Sequence, residues 1–229
     1  MSLKIKTSRK LSKIKANFTL LIFLVLLARP TDAEASVNII VNGDFETGDL
    51  TGWTTTSPNP SVVSNGTFEI ESFGSYFYRA GQTAIGEVVQ EIDISNLASD
   101  IDSGVAVATL SGSLGSWSND DIIVVEAAFF NLISEDLGST ISISAIDNPL
   151  LSNGSLGLTN LSNSETAIGD VPAGARSIIM KVRTERGAGS DNDGYADNLS
   201  IAISVPEPST YALILGGSVL GYAFWRRRK

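Results

Sequence analysis

Two short stretches carry the side chains with which this chain could do chemistry. The first is Asn42-Gly43-Asp44-Phe45-Glu46, followed by Thr47-Gly48 and by Gly52-Trp53. The second is Ser190-Asp191-Asn192-Asp193-Gly194-Tyr195-Ala196-Asp197-Asn198-Leu199. Both set carboxylates among glycines and asparagines, as turns do. Clustered carboxylates and backbone carbonyls are what a hard cation takes, with six to eight oxygens at about 2.3–2.6 Å. The same residues also serve as plain turn formers, because Asn-Gly and Asp-Gly favour positive φ and their side chains bond nearby backbone. Asp191-x-Asp193-Gly194 opens like a calcium loop. Its twelfth position is Ala202 instead of the required glutamate, so that reading is set aside.

What is missing narrows the chemistry further. The chain has no histidine and no cysteine. The commonest general base, the commonest zinc ligand and every Ser-His or Cys-His pair are therefore absent, and no disulfide supports the fold. Lysine, carboxylate and tyrosine chemistry stay open; the enzyme reading in view is a glycosidase built on two carboxylates, and no pair of acids has a spacing that singles it out. The expectation is a protein that is not an enzyme. Trp53 and Trp117 are the aromatic side chains that could stack on sugar rings. Trp53 follows Thr51-Gly52 and is expected in the core, whereas Trp117 lies in the polar loop Gly115-Ser116-Trp117-Ser118-Asn119 and is the candidate ligand-facing aromatic.

The elements that must position these residues are strands. Residues 36–204 read as a single all-β domain, in which short runs rich in Val, Ile, Phe and Ser alternate with Gly, Asn, Asp and Pro. The expected strands are Val37–Val41, Thr67–Ser72, Ser75–Arg79, Glu87–Ile94, Val105–Ser113, Ile122–Asn131, Ile141–Ile146, Ser177–Thr184 and Asn198–Ser204. Glu87–Ile94 alternates as EVVQEIDI and should keep one face in water. Ile122–Asn131 is apolar enough for a central strand, and Leu97–Ile101 forms at most a helical turn. About ten short strands in such a length predict an antiparallel two-sheet β-sandwich of jelly-roll type. Pairing of the first and last strands would bring the two acidic stretches together.

Charge is unevenly distributed. The chain as a whole carries −9, but residues 36–205 hold five cations against 22 acids, a net of −17. Such a surface repels nucleic acid phosphate, so a nucleic acid partner is excluded. It suits an extracellular domain and suits calcium. The other eleven cations all lie in residues 1–35 and 226–229. Lys4 to Lys15 form a basic region before the apolar run Phe18–Ala28. Ala33-Glu34-Ala35 then gives a small-x-small cleavage pattern, so residues 1–35 read as a signal peptide cut by signal peptidase between Ala35 and Ser36.

Residues 205–229 carry three messages in order. Val205 to Thr210 contain Pro206, Glu207 and Pro208, and the two prolines imply extended chain that joins no helix. Tyr211 to Trp225 are uncharged, and Arg226 to Lys229 are four consecutive cations. An apolar run closed by cations reads as a transmembrane helix over 211–225, with the basic end 226–229 in the cytoplasm. Fifteen helical residues rise about 22 Å, against a hydrocarbon core of about 30 Å, so the span is short.

These tail residues resemble the PEP-CTERM sorting signal of bacterial exported proteins. That resemblance implies recognition by a membrane-embedded exosortase, processing near Pro206-Glu207-Pro208, and transient anchoring before release to the outer surface or the medium. It also implies a setting in which exopolysaccharide is made. The stretches NGDFETG with its following GW, and DGYADNLSI, resemble the galactose-binding-like jelly rolls of carbohydrate-binding modules. That second resemblance implies a structural calcium held by Glu46 and Asp197, with Asp44 adding a nearby oxygen. Together they imply an exported surface or matrix domain that binds or organises exopolysaccharide or another cell-surface glycan. A purely structural matrix protein with no glycan ligand is the alternative. If Pro206 and Glu207 are read by the sorting machinery, Pro206→Ala with Glu207→Ala changes the processed mass or cell fraction in the native host and leaves export intact. Unchanged processing and location would contradict this reading.

Overall fold

The computed structural model describes residues 38–67, 74–116, 121–145, 164–205 and 208–227. The expected signal peptide over 1–35, the expected cleavage site between Ala35 and Ser36, and Trp117, Pro206 and Glu207 lie outside them. Ala35–Val205 form one compact unit. The described strands of this unit are β1 (Thr54–Thr55), β2 (Ser61–Ser64), β3 (Tyr76–Gly81), β4 (Ile85–Asp93), β5 (Val107–Ser116), β6 (Ile122–Phe130), β7 (Asp136–Ser144), β8 (Ser164–Asp170), β9 (Ser177–Glu185) and β10 (Asn192–Ser204). They form two antiparallel five-stranded sheets, ordered β1-β4-β9-β6-β7 and β2-β3-β10-β5-β8. The fold is the expected jelly-roll β-sandwich.

Period-two alternation decides which side of each strand is buried. In β4 the inward set is Gly86, Val88, Gln90 and Ile92, while Glu87, Val89 and Glu91 face out. In β6 Ile123, Val125, Ala127 and Phe129 are buried, and in β9 Ile178, Met180, Val182 and Thr184. Opposite them β5 contributes Ala108, Leu110 and Leu114, and β10 contributes Ala196, Leu199 and Ile201. One continuous apolar core therefore fills the space between the sheets, and no disulfide is needed to close it.

Several boundaries differ from the sequence expectations. Residues 38–41 form no strand; Ile40 is buried, but the Asn38 side chain takes over the bonding that a ladder would provide. Thr67–Ser72 falls largely outside the described residues. β8 was not expected, because its outer-edge sequence SETAIGD packs only Ala167 against the core. β6 is flanked on both sides, yet stands next to the edge strand β7. Leu97–Ile101 is a 3-10 turn, Ser95–Leu97, running into a short helix α1, Ala98–Asp102. The Asp102 carboxylate receives the Arg176 guanidinium at 2.7 Å and the Gly174 N–H at 2.9 Å. That holds its carboxyl below the usual carboxylate range and fastens α1 to the loop before β9.

Pro208–Arg227 form the helix α2. Pro208 is its first residue, which corrects the expectation that the proline would be excluded. The first turn of a helix has no partner for its N–H groups, so a missing donor costs nothing there. The run 211–225 is helical, but no helix among the described residues is long and apolar enough to cross a membrane. The expected transmembrane helix is corrected to that extent, because Gly216, Gly217, Ser218, Gly221 and two tyrosines dilute the apolar stretch.

Candidate functional site

The loop 42–53 is built as a knot around Asn42. Asn42 and Phe45 both adopt positive φ, 51° and 54°. The Asn42 Nδ2 donates to the Asp49 and Thr51 carbonyls, and its Oδ1 accepts the Thr47 N–H. Its own carbonyl accepts the Trp53 indole N–H at 3.1 Å. Asp49 receives the Thr51 N–H and the Thr47 hydroxyl, which hold its carboxyl below the usual carboxylate range. Phe45 is fully buried, stacked on Trp53 at 5.9 Å and tilted against Tyr78 of β3 at 5.7 Å. Burying one such ring stabilises by about 1.5–3 kcal/mol. Trp53 is therefore a core residue, as its position after Thr51-Gly52 implied. Burial pushes the Tyr78 phenol up, so it stays neutral beside these rings.

This knot grips both sheets. Toward the first sheet, Gln90 of β4 accepts the Val41 N–H at 2.8 Å and donates to the Val41 carbonyl at 2.9 Å. Toward the second, the Leu199 N–H of β10 donates to the Gly43 carbonyl at 2.8 Å. Asn38 brackets the same strand, donating to the Leu199 carbonyl and accepting the Ile201 N–H. The Ile39 N–H adds a bond to the Ile201 carbonyl. β10 makes these groups available through a register shift against β5 between Asp197 and Ser200, where Asn198 has φ 49°. A bulge of this kind turns backbone groups out of the ladder. Gly43 approaches so closely that a Cβ there would collide with the Leu199 carbonyl oxygen.

The structure thus brings the two acidic stretches together through Gly43 and Leu199. Asp44 and Glu46 are exposed, whereas Asp197 is completely buried. Glu46 has a structural duty that the sequence did not reveal. Its Oε1 accepts the Ser75 and Tyr76 N–H groups at 2.7 and 3.0 Å, capping the start of β3. In β10, Ala196 pairs with Tyr78 of β3, the strand whose start Glu46 caps, and Asp197 is the next residue. Asp44 accepts a long bond from the Glu46 N–H, and Asp197 accepts the Asn198 N–H at 2.7 Å. Among the described residues, no group of three or more acidic, His or Cys side chains converges to hold a metal. A cation here would draw on backbone carbonyls as well as on carboxylates.

Asp191 and Asp193 are used differently. Arg79 of β3 meets Asp191 at 2.9 Å and Asp193 at 3.6 Å. Asp193 also accepts the Tyr195 hydroxyl, and burial together with that bond pushes the Tyr195 phenol up. Phe77 and Tyr195 meet edge to face at 5.8 Å. Asp121, which sequence reasoning passed over, accepts the Gly187 and Asp193 N–H groups and clamps the loop before β10.

The outer face of the first sheet carries a groove of about 330 Å³. Its floor is the central strand β9. Lys181 lies in register between Val89 and Glu126, and Arg183 between Glu87 and Val124. Ile122 and Val124 give it an aliphatic side. Arg183 reaches Glu185 at 3.5 Å, and Glu87 accepts the Thr56 hydroxyl at 2.7 Å. Lys181 has no ion pair among the described residues. Two of the domain's five cations thus sit side by side on one strand, ringed by carboxylates. The groove was legible only as the outward positions of alternating strands.

The domain is thus a jelly-roll sandwich with a polar groove on one sheet and its two acidic stretches fastened together. Solved structures similar to this chain include TmCBM61 in complex with β-1,4-galactotriose, at 16% identity and a TM-score of 0.46 over 72% of this chain and 98% of that one. The CBM22-1 xylan-binding domain of Xyn10C from Paenibacillus barcinonensis is similar at 12% identity and a TM-score of 0.44, over 76% and 99%. A cyclase from Fischerella sp. TAU, in complex with 4-(1H-indol-3-yl)butan-2-one, is similar at 15% identity and a TM-score of 0.48, over 75% and 100%. No curated protein matches the chain. The chain carries a PEP-CTERM protein-sorting motif over residues 204–229. That motif indicates a secreted, exosortase-processed protein.

The knot makes a quantitative demand on Gly43. Gly43→Ala should destabilise the domain by about 2 kcal/mol or more, through a backbone collision. Gly174→Ala is the comparison, since φ there is 88° but nothing lies within 4 Å of an added Cβ. It should cost only the about 1–2 kcal/mol of a left-handed alanine. Denaturant unfolding of both variants checks this, and equal losses would contradict the close approach.

Proposed function

We propose that this protein is a non-catalytic, exported surface or matrix domain that binds exopolysaccharide or another cell-surface glycan in the groove over β9. The observation that carries the reading is the alternation on that face. Lys181 and Arg183 donate, Glu126 and Glu87 accept, and Ile122 and Val124 offer an apolar strip for a sugar's C–H face. A pyranose presents that mixture of hydroxyls and apolar patches, and shallow polar grooves with convergent donors and acceptors suit it. Lys181→Ala with Glu126→Ala should weaken glycan binding at least about tenfold, since each lost charged hydrogen bond costs about 1.5–3 kcal/mol. A glycan array followed by calorimetry measures it, and a reducing-sugar assay tests the carboxylate glycosidase alternative. Binding that survives the double substitution unchanged would remove the groove from the account.

The purely structural reading has its own support, because none of the described residues lining the groove is aromatic. Sugar sites commonly stack rings, and Trp117 lies outside the described residues. An array with no hit would favour this reading. In both readings α2 meets lipid during exosortase sorting, because Tyr211 to Trp225 are uncharged and Val219 and Leu220 are exposed.

Calcium belongs to the same proposal. It would bridge the Glu46 turn and the β10 bulge at Asp197, using carbonyl oxygens beside the two carboxylates, with Asp44 adding a nearby oxygen. The support is that Gly43 and Leu199 hold these segments together in a domain carrying −17. An ion binding only the folded state adds about 2.7 kcal/mol at one hundred times its dissociation constant. The melting temperature should rise with calcium and fall with a chelator, and Glu46→Gln and Asp197→Asn should each blunt the response. An equal response in the parent and both variants would reduce calcium to general screening.

A further inference from the structure

The turn between β6 and β7 presents two bulky apolar side chains to water. Leu132 is 79% exposed and Ile133 73% exposed. They are not loosely held. Asn131 Oδ1 accepts the Ile133 and Glu135 N–H groups, and its Nδ2 donates to the Glu135 carboxylate at 2.8 Å. The Asn131 N–H bonds the Glu135 carbonyl, and Ser134 closes the turn at φ 61°. Adjacent exposed leucine and isoleucine on a stiff turn form a small apolar patch, and contiguous exposed apolar residues mark contact sites.

Strand register says which end of the sandwich this is. Phe130, the last residue of β6, pairs with Ser177, the first of β9, and Ser177 pairs with Asp93 at the end of β4. In the other sheet Asp170 ends β8 and pairs with Val107, which pairs with Ser204, the last residue of β10. The short loop 171–176 joins Asp170 to Ser177, bonding Ala106 through Val171 and Phe130 through Arg176. The Leu132–Ile133 turn and the exit of β10 toward the sorting motif therefore share one end of the domain. Only Val205, Pro206 and Glu207 separate Ser204 from the first residue of α2. The four steps from Ser204 to Pro208 span at most about 14 Å.

The geometry points to a lipid surface as the occupant of this turn: when the tail engages the membrane, Leu132 and Ile133 seat the domain on the same leaflet. This rests on the reading that α2 meets lipid. It is independent of glycan binding, which concerns a sheet face. Charge specifies the lipid. Asp93, Asp100, Asp102, Glu135, Asp136 and Asp170 surround this end, against Arg176 alone among the cations. Anionic headgroups would repel these acids within a Debye length, about 8 Å at physiological salt. The surface that fits is zwitterionic, with the two apolar side chains reaching below the headgroups.

The chain has no cysteine, so single probes can be placed cleanly. Ile133→Cys, Gln82→Cys and Ser218→Cys, each carrying an environment-sensitive dye, report the turn, the opposite end of the sandwich and the tail. Gln82 follows Gly81, which pairs with Asn192, and so marks that opposite end. The full chain is reconstituted in phosphatidylcholine vesicles containing doxyl-labelled lipid. The dyes at 133 and 218 should shift to the blue and be quenched, while the dye at 82 stays as in water. Leu132→Ser should reduce quenching at 133 and leave 218 unchanged, and added phosphatidylglycerol should weaken quenching at 133. A dye at 133 as water-exposed as that at 82, with 218 quenched, overturns the proposal. So does an unquenched 218, which removes the lipid reading of the tail as well. A blue shift at 133 that follows protein concentration without lipid quenching means self-association and equally overturns it.

Discussion

The approach of Gly43 to the Leu199 carbonyl is the constraint on which the rest of this domain depends. A side chain at 43 would push the loop 42–53 off β10. Without that contact, Phe45 would lose its seat between Trp53 and Tyr78, and Glu46 would lose the β3 amides it caps. Gln90 belongs to the same unit. It is a buried polar side chain on an otherwise apolar strand face, tolerated because both ends of its amide meet the Val41 backbone. A buried amide with both groups bonded fixes one arrangement, since leaving either unpaired costs about 1–3 kcal/mol. One loop therefore ties the first sheet at β4 to the second at β3 and β10.

Electrostatics decide how this domain uses its charged side chains. A domain with 22 acids and five cations cannot pair most of its carboxylates with side chains. It pairs them with backbone N–H groups instead, as Asp49, Asp93, Asp121, Asp136 and Glu46 all do. Those turns are then stiffened by an acid, and the few cations are left for specific tasks. Arg176 holds α1, Arg79 holds the loop before β10, and Lys181 and Arg183 occupy the centre of an open face. Lys181 stands half-buried on the central strand β9 and makes no ion pair among the described residues.

How much of this was legible in the sequence depends on range. Alternation in EVVQEIDI gave β4 and its buried face directly, and NGDFETG with DGYADNLS marked the two segments that meet. The long-range partners were not legible. Nothing near Gln90 announces Val41, and the backbone duty of Glu46 needs residues 75 and 76, which lie far along the chain. Val37–Val41 has strand composition, yet residues 38–41 form no strand, because Asn38 bonds β10 through its side chain. β8 was missed for the opposite reason: SETAIGD is an edge strand that buries little, so its composition resembles a loop. In the tail, the order of proline, apolar run and cations identified the sorting motif. The same composition overstated the apolar length of the helix.

Native-state hydrogen exchange of the Leu199 amide in the folded domain tests this account most directly. Its N–H leaves the β5 ladder and reaches the Gly43 carbonyl, so it reports the junction between the loop and β10 and nothing else. The account predicts that Leu199 exchanges only by global unfolding, with the same free energy as the amides of β9 in the core. Exchange of Leu199 at the rate of an exposed loop, while β9 stays protected, would contradict it.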